Sequence, residues 1–213
     1  MQTVASDRGR PASFVSPLDP SPVQVFGELE LADRLGRGEP VRRCLVSIGN
    51  PKAFLAPIRP GTRVPRLFRE RFDRVLRLAF FDLDDLSQLG RMRPRRIAEL
   101  RDVERIVRFF EDTRNGTDGW TVHCWQGLSR SPAVALGLLY LVRGDEAAAA
   151  AELRRIRPEA RPLQRVVSLF DDVLGSRLSL VNEGIRAARI EEMKAELDLT
   201  ADMLLEELPA VEG

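Results

Sequence analysis

The stretch W-T-V-H-C-W-Q-G-L-S-R-S-P-A-V-A-L-G-L-L-Y-L-V, residues 120–142, decides how the rest of the chain is read. Its first five residues, 120–124, read as a short strand. Residues 131–142 are apolar on nearly every side, which is the mark of a helix inside a core. Between them, Gly127 permits a tight curve, and Pro132 suits a first helical turn, where its missing N–H costs nothing. A loop joining a strand to a helix N-terminus presents successive backbone N–H groups in a concave nest. Such a nest suits a tetrahedral oxyanion.

Working outward, other strands alternate with helical stretches. The segment 23–31 (VQVFGELEL) alternates weakly and reads as an edge strand, and 42–49 (RRCLVSIG) reads as a strand running into a turn at Asn50–Pro51. Residues 51–66 carry four prolines and form an irregular connection. The run 74–85 (RVLRLAFFDLDD) reads as a buried strand that stops at Asp82. Ile97, Leu100, Val103, Ile106, Val107 and Phe110 recur at helical spacing within 95–113, and further helices are expected near 145–156 and 163–174. The expected fold is α/β, with a mostly parallel central sheet flanked by helices and a helical C-terminal extension. The expected organisation is a loose proline-containing tail at 1–22, a catalytic domain at 23–176 and an acidic helical extension at 177–213.

Composition narrows the function. The 213 residues hold 33 basic and 32 acidic side chains, so the balance gives no case for a nucleic-acid or membrane partner. The single His and two Cys exclude a Cys/His-rich zinc module, which needs about four ligands. Two cysteines build no disulfide framework, and neither a signal segment nor a run of about 18 apolar residues is seen, so a cytoplasmic location is expected. The chain lacks GxxxxGK[ST] and GxGxxG elements. Charge is uneven, because residues 190–213 carry a net −7 and residues 1–189 therefore +8. Met193, Leu197, Met203, Leu204 and Leu208 line one face of a helix there, which either packs on the parent domain or serves self-association or partner binding. Seven arginines at 59–77, against Glu70 and Asp73, read first as a solvated face, with a phosphoprotein-steering patch as the alternative.

Cys124 and Arg130, five residues apart, bracket the loop. Arg130 offers two parallel charge-assisted hydrogen bonds to phosphate oxygens, and Cys124 lies at the bottom, aimed at phosphorus. Lowering a thiol from about 8.5 to about 5.5 takes roughly 4 kcal/mol. A helix N-terminus supplies only about 0.3–2. Loop amides, the Ser131 hydroxyl and the Arg130 charge must therefore act together. His123 precedes Cys124 on a strand, and adjacent strand residues face opposite ways, so a Cys–His dyad is disfavoured. His123 is expected to brace the loop from behind through backbone carbonyls. Cys44 reads as a small apolar filler, with a resolving thiol for an oxidised Cys124 as the alternative.

Residues 123–131, H-C-W-Q-G-L-S-R-S, match the signature HCxxGxxR[ST] at every fixed position. Here the chain resembles the cysteine-dependent protein tyrosine phosphatases, and its length and flanking segments are similar to bacterial members of the dual-specificity-like branch. The resemblance spans about residues 40–176. It implies hydrolysis of phosphate monoesters without metal or cofactor, with Cys124 as nucleophile. The amides of Trp125, Gln126, Gly127, Leu128, Ser129 and Arg130 would hold phosphate, Arg130 would clamp it, and Ser131 would assist thiolate departure. It also implies a general acid on an upstream loop, for which Asp82 is favoured and Asp84 and Asp85 are the alternatives. The implied partner is a phosphorylated protein or a small phosphomonoester. Uncharged Trp125, Gln126, Leu128 and Ser129 point to phosphotyrosine rather than an inositide, with phosphoserine and phosphothreonine left open. The family's pattern often has Asn after the proline matched to Pro162, where Leu163 and Gln164 stand here. Two other classes compete: a phosphate-binding module with little turnover, and a rhodanese-like or arsenate-reductase-like thiol enzyme.

Overall fold

The computed structural model describes residues 21–51, 64–84 and 96–206, with side chains through residue 198 except at 65. Four strands form one sheet: β1 (Val23–Gly27), β2 (Cys44–Gly49), β3 (Arg74–Ala79) and β4 (Trp120–Cys124), in the order β1-β4-β2-β3. Every neighbouring pair is parallel. The helices are α1 (Glu28–Gly36), α2 (Val64–Leu67), α3 (Leu100–Thr113), α4 (Arg130–Arg143), α5 (Glu146–Ile156), α6 (Gln164–Leu174) and α7 (Leu178–Glu206). The α/β architecture expected from the alternation of strands and helices is the one observed.

β4 is central and buried at every residue. It feeds α4, whose first ten residues, Arg130 through Leu139, are all buried. Gly137 lets the ring of Phe170 lie against α4, since a Cβ there would sit 2.3 Å from that ring. The principal core gathers Val46, Ile48, Val122, Leu136, Leu139, Ile106 and Phe170. Among the described residues no helix is long and apolar enough to cross a membrane.

Three boundaries differ from the sequence reading. β1 ends at Gly27, and Glu28 through Leu31 belong to α1, because the Glu30 carboxylate accepts the Gly27 N–H (3.2 Å) and closes the first turn. Leu31 and Leu35 then share the buried face while Leu29 is exposed. α3 starts at Leu100 rather than 95, where the Asp102 carboxylate reaches back to the Glu99 N–H (3.0 Å) and is gripped by Arg96 (2.6 Å). β3 is a half-exposed edge strand ending at Ala79, not a buried strand running to Asp82: it pairs with β2 alone, and Arg74 and Arg77 face solvent.

Residues 1–20 of the expected tail lie outside the described residues. Ser21 and Pro22 join the sheet, their carbonyls accepting from Arg42 (2.7 Å) and from the Trp120 N–H (2.8 Å). In the basic stretch, Arg59 and Arg63 also lie outside, and Arg74 opens β3 at the sheet end remote from Cys124.

Candidate active site

A parallel sheet brings all its strand carboxyl ends to one edge, and ligands of open α/β sheets bind there. Gly27, Asn50, the 80–82 segment and Cys124 meet at that edge, following β1, β2, β3 and β4.

The loop from Cys124 to Arg130 wraps the sulfur. Cys124 is buried, and its Sγ receives the Gly127 N–H at 3.3 Å and the Ser131 hydroxyl at 3.1 Å. Gly127 has φ +80°, and a Cβ there would lie 2.5 Å from the Gly27 nitrogen and 2.6 Å from the Phe26 carbonyl carbon. Both the sign of φ and the proximity of a second backbone demand glycine. The loop carbonyls are held from outside: Trp125 by the Glu28 N–H (3.0 Å), Leu128 by the Arg161 N–H (2.7 Å) and Ser129 by the Leu163 N–H (3.3 Å). In a trans peptide the C=O and the following N–H point opposite ways. The N–H groups of Gln126, Ser129 and Arg130 are thereby turned away from those flanking segments.

Arg130 is the first residue of α4 and is buried. A cation there opposes the helix dipole and needs matching acceptors or an anion. Nη1 donates to Asn50 Oδ1 (2.8 Å) and to the Phe80 carbonyl (3.0 Å). Nε is buried without a hydrogen-bond partner, with Asp82 Oδ2 at 3.7 Å. Asp82 also accepts the Ser129 hydroxyl at 2.6 Å.

The three aspartates separate. Asp82 faces Arg130 and Ser129. Asp84 accepts the Arg165 N–H (3.0 Å) and so caps the first turn of α6. Asp85 lies outside the described residues. Trp125 is 48% exposed at the rim of the loop.

His123 is fully buried, and its Nε2 lies 3.0 Å from the Ser47 hydroxyl on β2. The expected bracing from behind is therefore made through a side chain rather than through backbone carbonyls alone. Burial pushes the imidazole down to about 4, a backbone contact with Cys124 pulls the other way, and the nearby Arg130 charge adds to the lowering. Cys44 stands opposite Trp120 in the sheet register, four residues from Cys124 along the strand. That is about 13 Å at about 3.3 Å per residue, so Cys44 does not act as a resolving thiol in this fold. Among the described residues no cluster of three or more His, Cys, Asp or Glu is placed to hold a metal ion.

Sequence reasoning gave no site role to Ser47 or Asn50, and it noted Pro162 and Leu163 only as a departure from the family's pattern. A serine inside the apolar run of β2 was the one available signal, since a buried hydroxyl needs a partner.

No family model matches the chain, and no curated protein matches it. Solved structures do. Human DUSP28 superposes with a TM-score of 0.51 at 19% identity, covering 74% of this chain and 94% of that one. The chain has the fold of the dual-specificity and tyrosine phosphatases. Also similar to this phosphatase fold are Tk-PTP in its active form, at TM-score 0.45 and 22% identity over 73% of this chain and 92% of that one, and the human tyrosine phosphatase-like serine/threonine/tyrosine-interacting protein. The latter has a TM-score of 0.49 and 17% identity over 74% and 94% of the two chains.

Proposed function

We propose that this protein is a cysteine phosphatase that hydrolyses phosphate monoesters without a metal, with phosphotyrosine in proteins as its substrate class. The observation that carries the reading is the Cys124 sulfur, which accepts hydrogen bonds from Gly127 N–H and Ser131 O–H in a loop that ends in the buried guanidinium of Arg130. Two donors aimed at sulfur suit the thiolate, the form that attacks phosphorus.

The substrate phosphate sits in the loop on the amides of Trp125 through Arg130, and the Arg130 guanidinium binds two of its oxygens. The thiolate of Cys124 attacks phosphorus in line as the P–O ester bond breaks. Asp82 gives its proton to the departing oxygen, which is otherwise a poor leaving group at neutral pH. The phosphocysteine is then attacked by water. Asp82 takes a proton from that water, the P–S bond breaks, and the Ser131 hydroxyl stabilises the released thiolate. Two contacts favour Asp82 for this role. It stands by Arg130 and Ser129, whereas Asp84 is spent on the start of α6. The side chains of Trp125, Gln126, Leu128 and Ser129 bear no positive charge, which suits an aromatic ester better than a polyanionic inositide. The phosphatase-like domain is taken as 23–176, with 177–213 as an extension.

The test is hydrolysis of p-nitrophenyl phosphate and of a phosphotyrosine peptide, with and without chelator. Turnover that survives chelator and is lost in Cys124→Ser supports the reading. Activity retained in Cys124→Ser, or abolished by chelator, overturns it.

A further inference from the structure

The C-terminal helix reaches the phosphate loop through one proline. α7 is pinned at its start, where the Asp171 carboxylate of α6 accepts from the N–H groups of Leu178 (2.7 Å) and Ser179 (3.0 Å). Leu178 and Ile185 bury one face of its first turns against the core. On the same part of the helix, Asn182 is fully buried. Its Nδ2 donates to the Pro162 carbonyl (3.3 Å) and to Gln164 Oε1 (2.6 Å). Arg186 Nη1 donates to the same Pro162 carbonyl at 3.0 Å.

The peptide unit that carries the Pro162 carbonyl also carries the Leu163 N–H, so α7 holds it on its oxygen side while its nitrogen side meets the loop. The two neighbours of Pro162 do the rest: the Arg161 N–H binds the Leu128 carbonyl and the Leu163 N–H binds the Ser129 carbonyl. Those are the peptides that carry the amides of Ser129 and Arg130. A continuous set of bonds thus runs from α7 through residues 161–163 to the anion-binding turn.

Resting on the phosphatase reading, we infer that Asn182 and Arg186 are positioning residues for the phosphate loop, so that the C-terminal helix is part of the catalytic unit. The donors on α7 set where the Pro162 peptide lies. That peptide sets the orientation of the loop amides on the oxyanion, which changes most as phosphorus becomes five-coordinate. A displacement of about 1 Å at reacting atoms costs on the order of 100-fold in rate.

The experiment uses the full chain and two readouts, steady-state hydrolysis of p-nitrophenyl phosphate and the affinity for tungstate as an oxyanion probe. Arg186→Met keeps the aliphatic stem and removes the donor, and Asn182→Asp replaces a donor by an acceptor at nearly constant volume. Each is expected to lower kcat and tungstate affinity roughly 10- to 100-fold, and Arg186→Lys is expected to restore most of both. Arg189→Met is the control, since Arg189 binds Glu192 and Glu196 of its own helix, and it is expected to change neither readout. Arg186→Met that melts earlier yet keeps kcat and tungstate affinity within twofold of wild type overturns the inference, because the contact is then structural only. Arg186→Met decides the matter even where Asn182→Asp does not fold. A wild-type chain that hydrolyses the ester but shows no effect of either variant removes this inference alone. One that neither binds tungstate nor turns over removes the phosphatase reading with it.

Discussion

His123 is the only histidine of the chain, and it lies fully buried next to Cys124. It therefore carries a readable proton-linked stability. Unfolded, its imidazole takes a proton near the ordinary 6.5; folded, burial holds that event down to about 4. Between these values the unfolded chain binds the extra proton and the folded chain does not, so stability falls as pH falls. The neutral imidazole's contribution is complete above about 6.5 and is lost progressively as pH drops toward 4. Integrating across this interval gives a loss of about 2 kcal/mol at pH 5 and about 3 below pH 4. The clean variant is His123→Gln, whose amide falls where Nε2 lies, can keep the Ser47 contact and does not titrate. Urea unfolding of both proteins at pH 7.5, 7, 6 and 5 is the assay, compared at equal m-values. Over this range most carboxylates stay ionised, and their effects cancel between the two proteins. Wild type is expected to lose about 2 kcal/mol more than the variant between pH 7.5 and 5. Parallel stability profiles for the two proteins refute the argument, since they mean that the ring takes its proton in the folded state without cost.

Other substitutions separate the parts of the site. Gly127→Ala forces a left-handed residue and a methyl 2.5 Å from the Gly27 nitrogen; a loss of at least about 1–2 kcal/mol is expected by thermal melting, with kcat/KM for p-nitrophenyl phosphate down roughly 100-fold. Asp82→Asn is expected to lower kcat about 10²- to 10⁴-fold. Asp84→Ala should leave kcat within a few-fold but cost about 0.5–2 kcal/mol, because it uncaps α6; reversed outcomes in kinetics and melting would exchange their roles. Asn50→Leu removes an acceptor from the buried Arg130 and is expected to destabilise by about 1–3 kcal/mol in urea unfolding. Asn50→Asp keeps that acceptor and is expected to recover folding while raising KM, since its charge competes with phosphate for the guanidinium.

The strand, loop and helix of 120–142 were legible because each rests on local chemistry. Their cues are an apolar run, a glycine where the chain turns, and a proline where a helix begins. β3 was misjudged for the opposite reason. Its apolar run resembles that of a buried strand, but the sheet order leaves it at an edge, and sheet order is a property of the whole chain. Glu30 folding back on Gly27 was equally unreadable, because FGELEL satisfies a strand's period until a capping carboxylate makes it a helix.

The partners that went unseen share one trait. Ser47 meets His123 across 76 positions of sequence, and Asn50 meets Arg130 across 80. Asn182 and Arg186 reach Pro162 from a helix whose acidic far half drew attention instead. A nine-residue motif nominates candidate residues, but a guanidinium buried at a helix N-terminus is stable only where distant acceptors or an anion meet it. In this chain the acceptors come from the end of β2 and the turn after β3, and the Asp82 carboxylate stands 3.7 Å from Nε. On the proposed reading, the guanidinium and the loop amides together suit a compact oxyanion. That physical requirement, more than the likeness of the fold, is the ground on which phosphate is proposed as the ligand of the motif. It also explains why Asn50→Asp is the sharper perturbation: it satisfies the guanidinium from within and so removes part of the reason for the anion to bind.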